Sequence, residues 1–139
     1  MLFAIFKFGN IIWENTIGGN AEDFACCVKQ TLDGGYIVGG YSFSDNTFDK
    51  TSDAFGEQDY WVVKLDYDGN VEWDKSFGGY DEDLLFDIEV TSDGGYILMG
   101  ESGSDDNGNK TIERCYSAIS WPDYWFLKLD AAGEIVWQN

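Results

Sequence analysis

A shift of 60 residues lays this chain onto itself, and that period constrains its fold more than any other feature. The shift brings Gly9-Asn10 onto Gly69-Asn70, Trp13 onto Trp73, Gly18-Gly19 onto Gly78-Gly79 and Glu22-Asp23 onto Glu82-Asp83. Thr31 meets Thr91, and Asp33-Gly-Gly-Tyr-Ile37 meets Asp93-Gly-Gly-Tyr-Ile97. Fifteen of the first 42 positions are identical without a gap. A third copy begins near the end, where Asp59-Tyr-Trp-Val-Val-Lys-Leu-Asp66 returns as Asp123-Tyr-Trp-Phe-Leu-Lys-Leu-Asp130 and Trp73 returns as Trp137. The chain reads as one repeat-array domain over 1–139, with repeat 1 over about 1–60, repeat 2 over about 61–122 and a partial repeat 3 over about 123–139.

Each unit reads as β structure. Trp61, Val63 and Leu65 alternate with Tyr60, Val62 and Lys64 over a short run rich in β-branched and aromatic residues. Asp68-Gly69 is a tight-turn pair, and Asp93-Gly94-Gly95, like Asp33-Gly34-Gly35, supplies positive φ at no steric cost. Leu84, Phe86, Ile88 and Val90 are expected on one face of the next strand, with Asp87 and Glu89 on the other. By the same alternation Cys26, aligned with Phe86, should face inward and Cys27, aligned with Asp87, outward. A single Pro and no capped 3.6-residue periodicity argue against helix. The expected fold is all-β: antiparallel four-stranded repeats forming a partial β-propeller, two blades plus the hairpin of a third. A β-solenoid or a sandwich of meanders is the alternative.

Composition narrows the chemistry. The 139 residues carry 26 Asp+Glu against 8 Lys+Arg, a net charge of −18, and no His. A surface this negative repels phosphate, which excludes nucleic acid and anionic membranes as partners. No run approaches the roughly 18 apolar residues of a membrane-spanning helix, so no membrane insertion is expected. Without His there is no Ser-His-Asp or Cys-His catalysis and no His-ligated metal. Six Trp, eight Tyr and ten Phe supply a core that acidic disordered chains lack. Cys26, Cys27 and Cys115 are an odd number with no metal-type spacing, and read as free thiols, with a bridge from Cys115 to Cys26 or Cys27 left open. Met1-Leu-Phe-Ala-Ile-Phe6 has neither the basic start nor the small-residue cleavage site of a signal peptide, and reads as a strand.

Lys64-Leu-Asp-Tyr-Asp-Gly-Asn-Val-Glu-Trp73, Lys128-Leu-Asp-Ala-Ala-Gly-Glu-Ile-Val-Trp137 and Thr91-Ser-Asp-Gly-Gly-Tyr-Ile97 resemble the propeller-like repeats of large secreted and surface proteins of bacteria and archaea. The Leu-Asp-x-x-Gly-x-x-x-Trp portion is also similar to the tryptophan-docking motif of pyrroloquinoline quinone-type propellers. That resemblance implies that the Trp packs between adjacent blades and that the Gly makes the turn. It implies an extracellular or cell-surface location and no assigned activity. No catalytic set of the quinone enzymes is present to transfer, so a quinone is not implied and no cofactor is expected. Met1-Leu-Phe-Ala-Ile-Phe6 stands where the pattern has Trp-Val-Val-Lys-Leu-Asp.

Trp13, Trp73 and Trp137 hold one repeat position, and Trp61 and Trp125 another; periodic placement assigns them, with Gly34, Gly35, Gly94 and Gly95, to structure. Trp121 stands outside the repeat beside Pro122 and is the candidate exposed contact. The units differ most in two loops at the same repeat position, 43–58 and 103–122, which should emerge on one side as a binding face. Asp45, Asp49 and Asp53 in the first, and Asp105, Asp106, Asn107 and Asn109 in the second, are hard oxygen donors that suit Ca²⁺. Asp105-x-Asn107-x-Asn109 nevertheless lacks the Gly and Glu of an EF-hand loop, as does Asp66-x-Asp68-x-Asn70. The functional expectation is a non-catalytic binding or display scaffold, a fragment of a secreted or surface repeat protein. Its expected ligand is a carbohydrate or protein held by the two loops, and Trp121, Asp45, Asp49, Asp105, Asp106 and Asn107 are the candidate contacts. The alternatives are a glycosidase-like module using loop carboxylates and a purely structural spacer. Two blades and a hairpin do not close a ring, so exposed blade faces are expected to favour self-association.

Overall fold

A computed structural model describes residues 2–7, 9–115 and 121–139. The described residues form strands, turns and loops, without helix. The strands are β1 (Leu2–Lys7), β2 (Asn10–Thr16), β3 (Asp23–Gln30), β4 (Tyr36–Ser42), β5 (Asp59–Leu65), β6 (Val71–Phe77), β7 (Asp83–Val90), β8 (Tyr96–Ser102), β9 (Asp123–Leu129) and β10 (Ile135–Gln138). They make a two-stranded hairpin, β1-β2, and two four-stranded meanders, β3-β4-β5-β6 and β7-β8-β9-β10, with every pairing antiparallel. This is the expected all-β repeat architecture, open rather than closed, and consistent with a partial propeller or a sandwich.

The sheets cut the 60-residue period at a different phase from the sequence repeats. Residues 123–138 complete the second sheet, β9 pairing with β8 and β10 with β9, whereas the two-stranded piece lies at 2–16. A period has no origin of its own. The meander sets one, because each sheet begins at the Asp that follows a Gly-Gly turn, Asp23 or Asp83.

Two apolar layers hold the three sheets together. Trp13 and Ile17 pack with Tyr36, Val38, Trp61, Val63 and Leu65 between the hairpin and the first sheet. Ile37, Tyr60, Val62, Phe77 and Trp73 of the first sheet meet Leu85, Ile88, Tyr96, Leu98, Trp125, Leu127 and Leu129 of the second. Strand β5 lies between both layers and is buried along its whole length, which explains why it is apolar on both faces.

One alternation is reversed. β3 pairs with β4 through Ala25↔Gly40 and Cys27↔Gly39, so Cys26 is the extra residue of a β-bulge; Phe86 occupies the same place in β7. Cys26 and Phe86 are therefore exposed, while Cys27 packs against the core and Leu85 and Ile88 point inward. The expected inward Cys26 and Phe86, and outward Cys27, are corrected by that single inserted residue.

Candidate functional site

The repeating turns anchor the sheets before any loop is considered. The Asp33 carboxylate accepts from Gly35 N and pairs with Lys64 Nζ at 2.9 Å; Asp93 accepts from Gly95 N and pairs with Lys128 Nζ at 3.0 Å. The Thr31 hydroxyl leads the contacts that hold the Asp33 carboxyl down at about 2, with Lys64 next. Both lysines are buried and also donate to the carbonyl of the following Leu. The Lys-Leu-Asp and Asp-Gly-Gly segments are thus two halves of one clamp.

In its first two copies the repeated tryptophan packs between successive sheets. Trp13 lies on Gly69 in the β5–β6 turn, donates from Nε1 to the Tyr67 carbonyl at 3.2 Å, and meets Tyr36 edge to face. Trp73 lies on Gly133 in the β9–β10 turn and meets Tyr96 in the same way. Gly69 and Gly133 hold positive φ, +84° and +78°. Trp61 and Trp125 are core residues. Trp137, at the end of the second sheet, is 46% exposed.

Residues 43–58 and 103–115 lie beside the Gly18-Gly19 and Gly78-Gly79 turns, with Asp49 N donating to Gly18 O and Asn109 N to Gly78 O. Asp83 accepts from Gly79 N and from the Ser104 hydroxyl, and Asp23 accepts from Gly19 N and the Ser42 hydroxyl. A Cβ on Gly19 or Gly79 would strike Ser44 or Ser104, so the Gly pairs are required by close approach of loop to turn. The residues carrying the loops inward are Lys50 and Lys110, both buried; Lys50 donates to Ser52 O at 2.6 Å and Lys110 to Ser104 O at 2.5 Å. Burial pushes both ammonium groups below the usual lysine range. Asp74 on β6 accepts from Ser52 N and Thr51 N, while Gln138 on β10 accepts from Thr111 N and donates to Asn109 O. Sequence reasoning passed over these lysines, although Lys50-Thr51 and Lys110-Thr111 recur at the 60-residue spacing inside loops that otherwise differ.

The oxygen-rich residues are used inside the loops. Asp45 accepts from Asn46 N, and Asp105 pairs with Arg114 through Nε at 3.0 Å and Nη2 at 3.4 Å. Asn107 accepts from Tyr80 N, and Asn109 accepts from Gly78 N and donates to Ser76 O. Asp49 and Asp106 have exposed side chains. Asp53 accepts from Asn46. Asp105, Asn107 and Asn109 are turned to separate partners, and among the described residues no group of three or more acidic or thiol side chains is placed to share a metal ion.

These braced loops leave an open cleft of about 320 Å³ at the junction of the two sheets. Glu57, Asp81, Glu82 and Glu101 line it with Arg114 and Pro122. Trp121, next to Pro122, is 74% exposed, as its position outside the repeat predicted. Phe48 and Tyr80 are exposed at the same end, and Phe48 holds a positive φ of 52°, rare for a bulky residue. Neither was singled out from the sequence, where single aromatics among 24 carry no mark of exposure. Asp59 and Asp83 are buried together against Gly78, where a Cβ would strike both carboxylates. Burial raises both, Asp59 to about 6, and Asp59 Oδ1 makes no hydrogen bond among the described residues. No protein-family model matches the chain, and no curated protein is significantly similar to it.

Proposed function

We propose that the chain is a non-catalytic binding or display module. In this reading its sheets are propeller blades of a secreted or cell-surface repeat protein, and its loop face holds a protein or carbohydrate ligand. The observation that carries the proposal is the cleft between Glu57, Asp81, Glu82, Glu101 and Arg114, with exposed Trp121 beside it. An indole face offers a stacking surface for a sugar ring or a cationic side chain. The four carboxylates accept from hydroxyls or ammonium groups but repel anions. The secreted or surface setting draws on the repeat resemblance and on the acidic, Asp/Asn/Ser-rich loops.

A hydrolase would need a solvent-facing pair of carboxylates about 5–9.5 Å apart. Asp59 and Asp83, the two with raised affinity for protons, are closed to solvent. Recognition is therefore the better reading of the cleft. It is tested by titrating the protein with neutral oligosaccharides and with a short oligolysine peptide, following tryptophan fluorescence. Binding of either probe that is lost in Trp121→Ala and weakened in Glu101→Gln supports the module. Binding unaffected by both substitutions, or turnover of the oligosaccharide, rejects it.

A further inference from the structure

We infer that copies of this chain associate head to tail, the Trp137 face of one docking on the Gly9 hairpin of the next. The inference rests on the contact between successive sheets and is independent of what the loop face binds. Within the chain that contact is made twice by the same parts, Trp13 on Gly69 and Trp73 on Gly133. Among the described residues, Trp137 and Gly9 stand outside such a contact. Trp137 is nearly half exposed, and Gly9 sits at the same turn position with φ +81° and no described residue within 4 Å of the place its Cβ would occupy.

The surroundings of Trp137 repeat those of the buried contact. Tyr124 corresponds to Tyr60, which is fully buried against the second sheet and donates to the Trp125 carbonyl; Tyr124 is 80% exposed. Met99 on the same face is exposed, and Ile97 and Phe126 are only half-buried, although their counterparts Ile37 and Val62 lie in the core between the sheets. This face has the composition of an interior and the exposure of a surface. The last residues complete the match. Trp13-x-Asn15 docks by Trp13 Nε1 to Tyr67 O and by Asn15 Nδ2 to Gly69 O at 3.0 Å. Trp137-x-Asn139 repeats that pair, and the corresponding acceptors on a second copy are the backbone carbonyls of Lys7 and Gly9.

Each copy then carries one donor face and one acceptor turn, which makes the contact heterologous and lets assembly pass beyond the dimer. The net charge of −18 opposes it, so added salt should strengthen association by screening the repulsion.

The test is sedimentation of the whole chain from micromolar to millimolar concentration, at low salt and at about 0.5 M NaCl. The expected result is a mass that climbs with concentration past twice 15.6 kDa, more steeply at high salt. Trp137→Ala should return it to monomer with an unchanged circular dichroism spectrum, because the indole contributes little to the isolated fold. Gly9→Val should block the other end. An equimolar mixture of the two variants should form dimers and stop there, since one intact face meets one intact turn. Asn139→Ala, which leaves the hairpin untouched, should weaken association several-fold. A chain that stays monomeric throughout, or associates equally well as Trp137→Ala, overturns the inference. So does a wild-type dimer that never grows, which would mean that two Trp137 faces pack on each other.

Discussion

The indole of Trp13 and the backbone of Gly69 lie in contact across two sheets: a Cβ on Gly69 would stand 2.5 Å from the ring. Three requirements meet at this one glycine. The turn needs positive φ, the ring needs the space, and the Gly69 carbonyl accepts from Asn15. The same arrangement of Trp73 over Gly133 joins the next pair of sheets, so the motif is the joint of the array.

Gly69→Ala should therefore cost more than its backbone strain. Gly34→Ala is the control, because Gly34 has φ +89° with no described residue within 4 Å of the added methyl. The control should lose about 1–2 kcal/mol for the left-handed conformation, and Gly69→Ala a further 1–3 kcal/mol for displacing the indole. Urea denaturation measures both. Equal losses at the two sites would mean that the Trp13 contact contributes nothing.

Acidity should act on the fold through Asp59. Its pKa is raised from 3.8 to about 6, chiefly by burial, with Phe55 N holding one oxygen and Asp83 adding repulsion. The folded chain therefore binds more protons than the unfolded chain between those values, and stability falls as pH rises from about 4 to about 6. The loss is on the order of 3 kcal/mol. Lys50, which also faces Asp59, opposes the shift. Asp33 and Asp93, held down by their Thr and Lys partners, act below that window and with opposite sign. Urea midpoints measured from pH 4 to 7 should fall for the native chain and flatten in Asp59→Asn. An unchanged slope in the variant would assign the effect to other carboxylates.

Much of this was legible because turns and docking residues write themselves into sequence at fixed spacing. Asp33-Gly-Gly and Lys64-Leu-Asp recur because one clamp needs both, and Trp13 recurs because Gly69 receives it. The bulge at Cys26 was not legible. It inserts a residue without changing the spacing between repeats, so both copies shift together and alignment cannot reveal it. The loops misled in another way. Their Asp and Asn residues suggested a cation, whereas backbone amides hold Asn107 and Asn109, Arg114 holds Asp105, and the cationic side chains buried in the loops are Lys50 and Lys110.

Lys110 should prove to be the pin of the second loop. Its ammonium donates to Ser104 O, stands 6.0 Å above the Trp125 ring and faces the Asp83 carboxylate. Lys110→Met keeps most of the side-chain volume but leaves the Ser104 carbonyl buried without that donor, a loss of about 1–3 kcal/mol. It also removes the positive charge that offsets burial at Asp83, whose proton affinity should rise further. The variant should consequently recover part of its lost stability when the pH is lowered from neutral to about 5, because burial without the ammonium shifts Asp83 further toward its neutral form. Urea midpoints of variant and native chain at the two pH values decide it. A deficit of equal size at both would show that the ammonium serves Ser104 alone and leaves Asp83 unaffected.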